Sequence, residues 1–299
     1  MYLKEIKDSK VRVKRKKTNR EFDTLGITME LEKSLSIGDQ LELERKKIKD
    51  RKKRRIYKLL IKISILAFIL VIATFIIHIN KKYKVNSYTQ ELIRSDSEIN
   101  IIYDKDNNLV FTPYRHNKKE AVIIYPSSGV EPVGYAGMAR KIASKGYKVV
   151  VAKVFMNYPF FAFDRADKII NSNPDKNRWY LISHNTSGDV AVKAAASNKK
   201  IMGVVFLGTY PSGDDLKLIN EPVLTIWGTN DGILDFTKFH AYKNNLPTNA
   251  DFTEIVGGNN TNFADIKMIA GDNNARISNS IQQDRAAEHI YKFIVRTSR

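Results

Sequence analysis

The sequence contains no cysteine, and this absence removes a large part of protein chemistry from consideration. Disulfide bonds, a thiolate nucleophile and metal sites with cysteine ligands are all excluded. The chain has only five histidines, and no histidine or aspartate cluster shows the spacing of a metal site. A glycine-rich phosphate-binding motif is also missing. We therefore expect neither a bound metal ion nor another cofactor.

Residues 1–58 are poor in aromatic side chains and hold much of the positive charge. The whole chain has a net charge of +18, and two basic runs, Lys14–Lys17 and Arg51–Arg55, lie in this tail. Runs of this kind can bind nucleic acid, but they also occur in solvated tails. The segment that follows favours the second explanation, so we expect a basic cytoplasmic tail and no nucleic-acid partner.

Charged residues are almost missing from Leu59–Ile79, which is long enough to cross a bilayer as a helix of about 20 residues. Lys62 lies one turn inside the segment, where its ammonium group can reach the lipid headgroups. A buried core helix is the alternative, but soluble cores seldom need so long an apolar run. A cleaved signal peptide is disfavoured because the preceding basic region is very long. We predict a signal anchor, with the lipid bilayer as its partner.

The distribution of lysine and arginine predicts the orientation of this anchor. Its N-terminal flank has a dense basic cluster in residues 51–58, whereas the far flank carries only Lys81, Lys82 and Lys84. Basic flanks stay in the cytoplasm and suit anionic headgroups. We therefore expect residues 80–299 to lie outside a bacterial cell membrane, beginning with a short stalk at 80–97.

Strand and helix patterns alternate through residues 98–299 and predict an α/β domain with a mainly parallel, doubly wound sheet. Two antiparallel strands are expected first, at Ile99–Tyr103 and Leu109–Thr112. The later strands are expected at Ala121–Tyr125, at Tyr147–Val154, from Arg178 onward, and at Met202–Leu207, Val223–Trp227 and Asp251–Val256. The helices are expected at Val133–Lys145, Phe163–Asn171, Gly188–Ser197, Leu234–Asn245 and Ser278–Val295.

The segment Arg178–Ala191 is an apolar strand followed by a tight turn of small residues and a helix. This is the layout of a nucleophile elbow, in which a hydrolase holds its serine at the tip of a strained turn. The elbow signature G-x-S-x-G falls in register on Ser183–Ser187, and the residue at the tip is Asn185. An amide is a poor nucleophile, because it has no hydroxyl proton for a base to remove.

Further motifs follow one another in order along the outer domain. They are Tyr125–Pro132 with Tyr135–Ala136, Phe163–Asp167, Tyr210–Pro211, Trp227–Gly232, Gly257–Phe263, and Gly271–Asp272 with Ile277–Ser278 and Gln282–Gln283. Together with the elbow, this series resembles the bacterial α/β-hydrolase domain proteins of the dienelactone-hydrolase-like branch, over roughly Leu92–Ile294. The resemblance implies an α/β-hydrolase fold behind the anchor.

The resemblance also implies a Ser-Asp-His triad, with serine, acid and histidine in that chain order. Carried over by motif, the serine position is Asn185, the acid position is Asp231 and the histidine position is Asn260. The oxyanion donors would be the backbone N–H of Thr186 and one N–H from the loop of Ser127, Ser128 and Gly129. Two of the three triad positions thus carry asparagine.

Two functions stay open for this site. In the first, the chain is a catalytically degenerate hydrolase homologue that binds a small molecule or a protein partner. Asn185 cannot form an ordinary acyl-enzyme, and Asn260 cannot act as the base. In the second, the chain is an active hydrolase of carboxylic-ester-like substrates, with Asp231 as general base on a water held by the two asparagines. The three side chains could equally fill a vestigial cleft by bonding to each other. We favour the first function.

Overall fold

The computed structural model of the chain describes residues 37–79 and 83–298. The chain divides into two compact units between Val71 and Ile72. Most of the predicted basic tail, residues 1–36, lies outside the described residues, as do residues 80–82 of the predicted stalk.

One long helix, α1 (Ile37–Ile79), contains the predicted membrane segment. The stretch Gln40–Ile77 includes an 18-residue window with a mean hydropathy of 2.8, and 0% of that window is buried. By length and composition α1 is therefore a candidate membrane span. The helix begins well before Leu59, because residues 39–58 contain no proline or glycine and their many lysines, arginines and glutamates are good helix formers.

Residues 83–97, predicted as part of a stalk, include side chains that pack against the α/β domain. Val85 forms an isolated antiparallel bridge with Ile266, and a short helix, α2 (Thr89–Leu92), follows. Apolar side chains of this segment lie against the domain core: Tyr83, Val85, Leu92 and Ile93. The contacts that join the segment to the domain involve partners distant in sequence, such as Gly129 and Ile266.

The α/β domain is built on one eight-stranded sheet within residues 83–298, with the order β1-β2-β4-β3-β5-β6-β7-β8. The strands are β1 (Ile99–Tyr103), β2 (Leu109–Pro113), β3 (Glu120–Tyr125), β4 (Lys148–Val151), β5 (Arg178–His184), β6 (Ile201–Leu207), β7 (Val223–Gly228) and β8 (Asp251–Ile255). Strand β2 pairs antiparallel with β1 and β4, and the other neighbours pair parallel. The predicted fold class is confirmed.

Helices cover both faces of the sheet because alternate strand residues point to opposite sides. In β3, Val122 and Ile124 belong to one apolar cluster, and Ala121 and Ile123 belong to the other. The first cluster includes residues of α3 (Ala136–Ala143) and α8 (Asn279–Thr297). The second includes residues of α4 (Arg165–Asn171), α5 (Gly188–Ser197) and α6 (Asp215–Leu218). A further short helix is α7 (Phe236–Tyr242).

The parallel strands bring their carboxyl ends to one edge of the sheet, where ligand sites of such folds form. The segments after β3, β5 and β7 carry Ser127–Gly129, Asn185 and Asp231 respectively. Asn260 follows β8. Every site residue predicted from the sequence therefore lies beyond the end of a parallel strand.

Candidate functional site

Asn185 lies at the tip of a sharp turn between β5 and α5. Its φ angle of 50° is in the left-handed region, where asparagine occurs more readily than most side chains. A single 3-10 turn, Asn185–Ser187, leads into α5. The turn therefore has the strained backbone of a nucleophile elbow, and its tip presents an amide.

Ser183 and Ser187 flank the tip, but their hydroxyl groups point into the protein. Both side chains are fully buried. The Ser183 hydroxyl donates to the carbonyl of Val205 at 3.3 Å. The Ser187 Oγ accepts the backbone N–H of His184 at 2.8 Å. Both hydroxyls stabilise the turn, and neither is placed to attack a ligand.

Asn260 and Asp231 are in direct contact beneath the elbow. The Nδ2 of Asn260 donates to Oδ2 of Asp231 at 2.8 Å and to the carbonyl of Gly208 at 3.0 Å. Asn260 is fully buried. The structure thus brings together the residues at two of the predicted triad positions, in the kind of contact that joins a base to its orienting carboxylate.

Asp231 is held tightly by its own loop. Its Oδ1 accepts the backbone N–H groups of Ile233 at 2.9 Å and Leu234 at 2.8 Å. The residue is only 5% exposed. Burial raises the pKa of the Asp231 carboxyl above its usual value, although these hydrogen bonds and the one from Asn260 act in the opposite direction.

Gly208, which sequence reasoning did not single out, makes the contact between Asn260 and Asp231 possible. Its φ is 54°, and a Cβ at this position would lie 2.4 Å from Asn260 Nδ2 and 2.9 Å from Asp231 Oδ2. Only glycine fits so close an approach. Its position directly after the buried strand β6 is the sequence signal that could have identified it.

His184, next to the tip, belongs to the buried support of the site. His184 Nε2 lies 3.0 Å from two acceptors of Asn260, Oδ1 and the carbonyl oxygen, and therefore carries the ring proton. Nδ1 of the neutral ring then accepts the hydroxyl of Tyr135 at 2.7 Å, and that hydroxyl accepts the N–H of Ser127 at 2.8 Å. Burial lowers the pKa of His184 to about 4. The ring is therefore neutral and orients Asn260.

The loop expected to supply an oxyanion donor has all of its N–H groups in use. Besides the Ser127 N–H, the Ser128 N–H donates to Thr186 Oγ1 at 2.8 Å. The Gly129 N–H donates to the carbonyl of Asn157 at 2.8 Å. The Thr186 side chain thus occupies the donor nearest the elbow. Sequence reasoning missed this contact because it joins residues 58 positions apart.

A cleft of about 250 Å³ opens at the elbow tip. Asn185 lines it, and its side chain makes no hydrogen bond within the described residues. Asn260 and Asp231 lie behind the wall and do not line the cleft. The other lining residues include two carboxylates, an alcohol and a phenol: Asp189, Asp235, Thr209 and Tyr210. Within residues 37–79 and 83–298, no His, Asp or Glu side chains form a group of three that could hold a metal ion.

The side chains of Asp272 and Gln282 lie outside the cleft and hold the Asn260 loop in place. The Oδ2 of Asp272 accepts the N–H of Thr261 at 2.7 Å, and its Oδ1 accepts the N–H of Gly232 at 2.9 Å. Gln282, fully buried, bonds both the N–H and the carbonyl of Asn259, at 3.0 and 2.7 Å. These contacts explain why the late Gly271–Asp272 and Gln282–Gln283 motifs accompany the site.

Solved structures similar to this chain include hydrolases and esterases. A CIB-like hydrolase from Thermoplasma acidophilum has a TM-score of 0.49 and 10% identity, covering 65% of this chain and 99% of its own. An esterase from Pyrococcus furiosus has a TM-score of 0.49 and 13% identity, covering 72% and 96%. A dienelactone hydrolase from Anabaena variabilis has a TM-score of 0.48 and 11% identity, covering 67% and 99%.

A comparison with curated protein sequences finds no match. The sequence model described as the alpha/beta hydrolase family matches residues 121–284, which is more than half of the chain. This range begins in β3 and ends in α8, so it includes the elbow, the Asp231 loop and the Asn260 loop. The chain belongs to the α/β hydrolase family.

Proposed function

We propose that this protein is a membrane-anchored member of the α/β hydrolase family that binds a small polar ligand without hydrolysing it. The cleft at Asn185 is the binding site. The Asp231–Asn260–His184 network beneath it is a structural support rather than a catalytic relay.

The observation that carries this proposal is the hydrogen bonding of Asn260. Its Nδ2 has two acceptors, Asp231 and Gly208, and its Oδ1 accepts from His184. A general base must take a proton in the transition state and return it later. An amide saturated in this way does not titrate near neutral pH, so the position can orient neighbours but cannot transfer protons.

The loop from Ser127 to Gly129 supports the same conclusion independently. An oxyanion hole needs N–H groups that are free to bind a developing negative charge, and loss of one donor costs roughly 10²–10³-fold in rate. Here the Ser128 N–H already donates to Thr186 Oγ1. Hydrolysis would require that this bond be broken first, in addition to a nucleophile and a base.

The alternative of an active hydrolase with Asp231 as general base has less support. The carboxylate accepts three hydrogen bonds, from Ile233, Leu234 and Asn260, and is 5% exposed. It also lies outside the lining of the cleft. A general base must reach its proton directly or through one water, and the buried Asp231 is poorly placed to do so.

The lining of the cleft indicates the chemical class of its ligand. Asp189 and Asp235 give it negative charge, while Asn185, Thr209 and Tyr210 offer neutral hydrogen-bonding groups. The Nζ of Lys238 lies 3.5 Å from Oδ2 of Asp235 and partly compensates its negative charge. We infer that neutral or cationic polar molecules, such as alcohols and primary amines, are preferred over anions.

Binding can be tested on the full-length chain in detergent by thermal shift, with small alcohols, primary amines and carboxylates as probes. A ligand that binds only the folded state raises the unfolding temperature in a concentration-dependent way. We expect stabilisation by amines or alcohols, and a weaker amine effect in the Asp189→Asn, Asp235→Asn variant. Asparagine retains the capping acceptor at 235, where the side chain accepts the N–H of Lys238.

Turnover is measured in the same preparation with p-nitrophenyl esters. We expect the native chain to hydrolyse them no faster than the Asn185→Gly variant. A native rate at least tenfold above that variant would overturn the proposal that the cleft binds without catalysis.

A further inference from the structure

An exposed group of aromatic rings lies in the aromatic loop, residues 155–163, between β4 and α4. Phe155 is 69% exposed, Phe160 is 60% exposed and Phe161 is 46% exposed. Their ring centroids are 6.2 Å apart for Phe155 and Phe161, and 5.7 Å apart for Phe160 and Phe161. Contiguous exposed apolar surface of this kind marks an interaction site more often than chance.

The backbone of the aromatic loop presents these rings rather than folding them inward. Met156 and Asn157 both have positive φ angles, of 52° and 56°, which non-glycine residues adopt at a cost. Asn157 is buried, and its Oδ1 accepts from Lys153 Nζ at 2.9 Å. Its carbonyl accepts the N–H of Gly129. The loop is therefore fixed to the same edge of the sheet as the elbow.

The first described segment after α1 is bonded to this same edge of the sheet. The N–H of Tyr83 donates to the carbonyl of Gly129 at 2.8 Å, and the N–H of Gly129 donates to the carbonyl of Asn157. In the sequence only residues 80–82 separate α1 from Tyr83. Tyr83, four residues after the end of α1 in the sequence, is thus hydrogen-bonded at the edge that carries the aromatic loop.

We propose that the aromatic loop inserts into the headgroup region of the bilayer that α1 anchors. This inference rests on the anchoring part of the proposed function. Aromatic rings with flanking lysines are typical of segments that lie in a membrane interface. Lys193 Nζ lies 4.4 Å from the ring centroid of Phe163, while the nearby Asp164 carboxylate is paired with Lys168 at 2.7 Å.

Lipid docking has a consequence for the cleft. The short turn Pro159–Phe161 contacts the elbow turn Asn185–Ser187. A bilayer that receives Phe160 and Phe161 therefore lies beside the opening at Asn185. The ligand would be collected from the membrane surface rather than from bulk solvent.

The test uses full-length protein reconstituted into phosphatidylcholine vesicles that contain lipids brominated near the top of the acyl chain. Bromine quenches tryptophan fluorescence on contact, so Phe160→Trp reports insertion of the loop. The native chain supplies the background from Trp179 and Trp227. Phe252→Trp is the matched control, because Phe252 is an exposed aromatic residue on edge strand β8. Phe155→Trp is a second reporter in case the first variant is unstable.

We expect brominated lipid to quench Phe160→Trp and Phe155→Trp at least twofold more than the native chain, and Phe252→Trp no more than the native chain. Equal quenching in all variants would overturn the proposal. Shielded emission without bromine quenching would also overturn it, and would indicate a protein partner. Extraction of the vesicles with alkaline carbonate tests the anchor separately, because a spanning helix resists it whatever the loop does.

Discussion

The amide of Asn260 donates a hydrogen bond of 2.8 Å to Oδ2 of Asp231, at the positions where the family resemblance places a histidine and its carboxylate. The contact fixes both loops, but it joins a carboxylate to a group that cannot accept and release a proton near neutral pH. Under the proposed function, the elbow, Gly208 and the buried His184 support a binding site and take no part in proton transfer.

Because the backbone at position 185 is left-handed, we predict that a glycine variant is more stable than an alanine variant at this position. Glycine adopts this conformation freely, whereas a Cβ-bearing residue without a local polar group costs about 1 kcal/mol or more. We expect Asn185→Ala to lower the free energy of unfolding by about 1 kcal/mol, and Asn185→Gly to leave it nearly unchanged. Urea unfolding of the two variants checks this, and equal stabilities would show that position 185 does not hold its left-handed backbone in solution.

Loss of the Asp231 carboxylate should destabilise the site loops. Asp231→Ala removes the acceptor of two buried donors, from Leu234 and Asn260, and of the partly buried N–H of Ile233. An unsatisfied buried donor costs about 1–3 kcal/mol, so we expect a loss of about 3 kcal/mol or more. Asp231→Asn should cost less, because its Oδ1 can still accept the two backbone N–H groups. Chemical denaturation checks both values. An Asp231→Ala variant as stable as the native chain would contradict the hydrogen-bonding scheme.

Glu221, just before β7, predicts a pH dependence of stability. Burial raises the pKa of its carboxyl from 4.5 to about 7, and Oε1 has no hydrogen-bond partner within the described residues. The folded state then binds the proton more tightly than the unfolded state. Its contribution to stability is complete below pH 4.5 and is lost as the pH rises towards 7. Thermal unfolding between pH 4.5 and 8 should show this loss in the native chain.

The variant Glu221→Gln removes the titrating group and should flatten that part of the pH profile. Glu91→Gln, at an exposed position of α2, is the matched control and should keep the native profile. Identical profiles for the native chain and Glu221→Gln would contradict the assignment.

The absence of cysteine makes the predicted topology easy to test. Single cysteines can be placed at Ser9 in the basic tail and at the exposed Asn274 in the α/β domain. With the N-terminus in the cytoplasm, a membrane-impermeant maleimide should label Asn274→Cys in intact cells and Ser9→Cys only after lysis. The cysteine-free native chain is the blank. The opposite labelling pattern would show that the predicted orientation is wrong.

Much of the fold could be predicted from the sequence because local patterns determine it. Short apolar runs located the strands, and Gly188–Ser197 is a helix with the predicted bounds. Helix ends were less accurate: the predicted helix Val133–Lys145 is a 3-10 turn, Pro132–Tyr135, followed by the shorter α3. The packing of residues 83–97 on the domain could not be predicted, because it depends on partners such as Ile266.

The positions of the candidate site came from the family resemblance and not from local periodicity. The positions 185, 231 and 260 were identified from motifs, and the structure places 231 and 260 in contact. The Thr186–Ser128 bond and the link from Tyr135 through His184 to Asn260 were not foreseen. Each depends on side chains from segments that are distant in sequence, and local sequence patterns do not predict such tertiary contacts.

The most direct test of the central claim is labelling with a fluorophosphonate, which reacts with an activated serine. The native full-length chain should remain unlabelled. The Asn185→Ser, Asn260→His variant should be labelled weakly, and addition of Thr186→Ala should increase the rate at least tenfold, because it releases the Ser128 N–H for the oxyanion. Thermal unfolding verifies that each variant is folded. Labelling of the native chain, or a folded triple variant that never reacts, would contradict the account of an intact hydrolase framework without hydrolase chemistry.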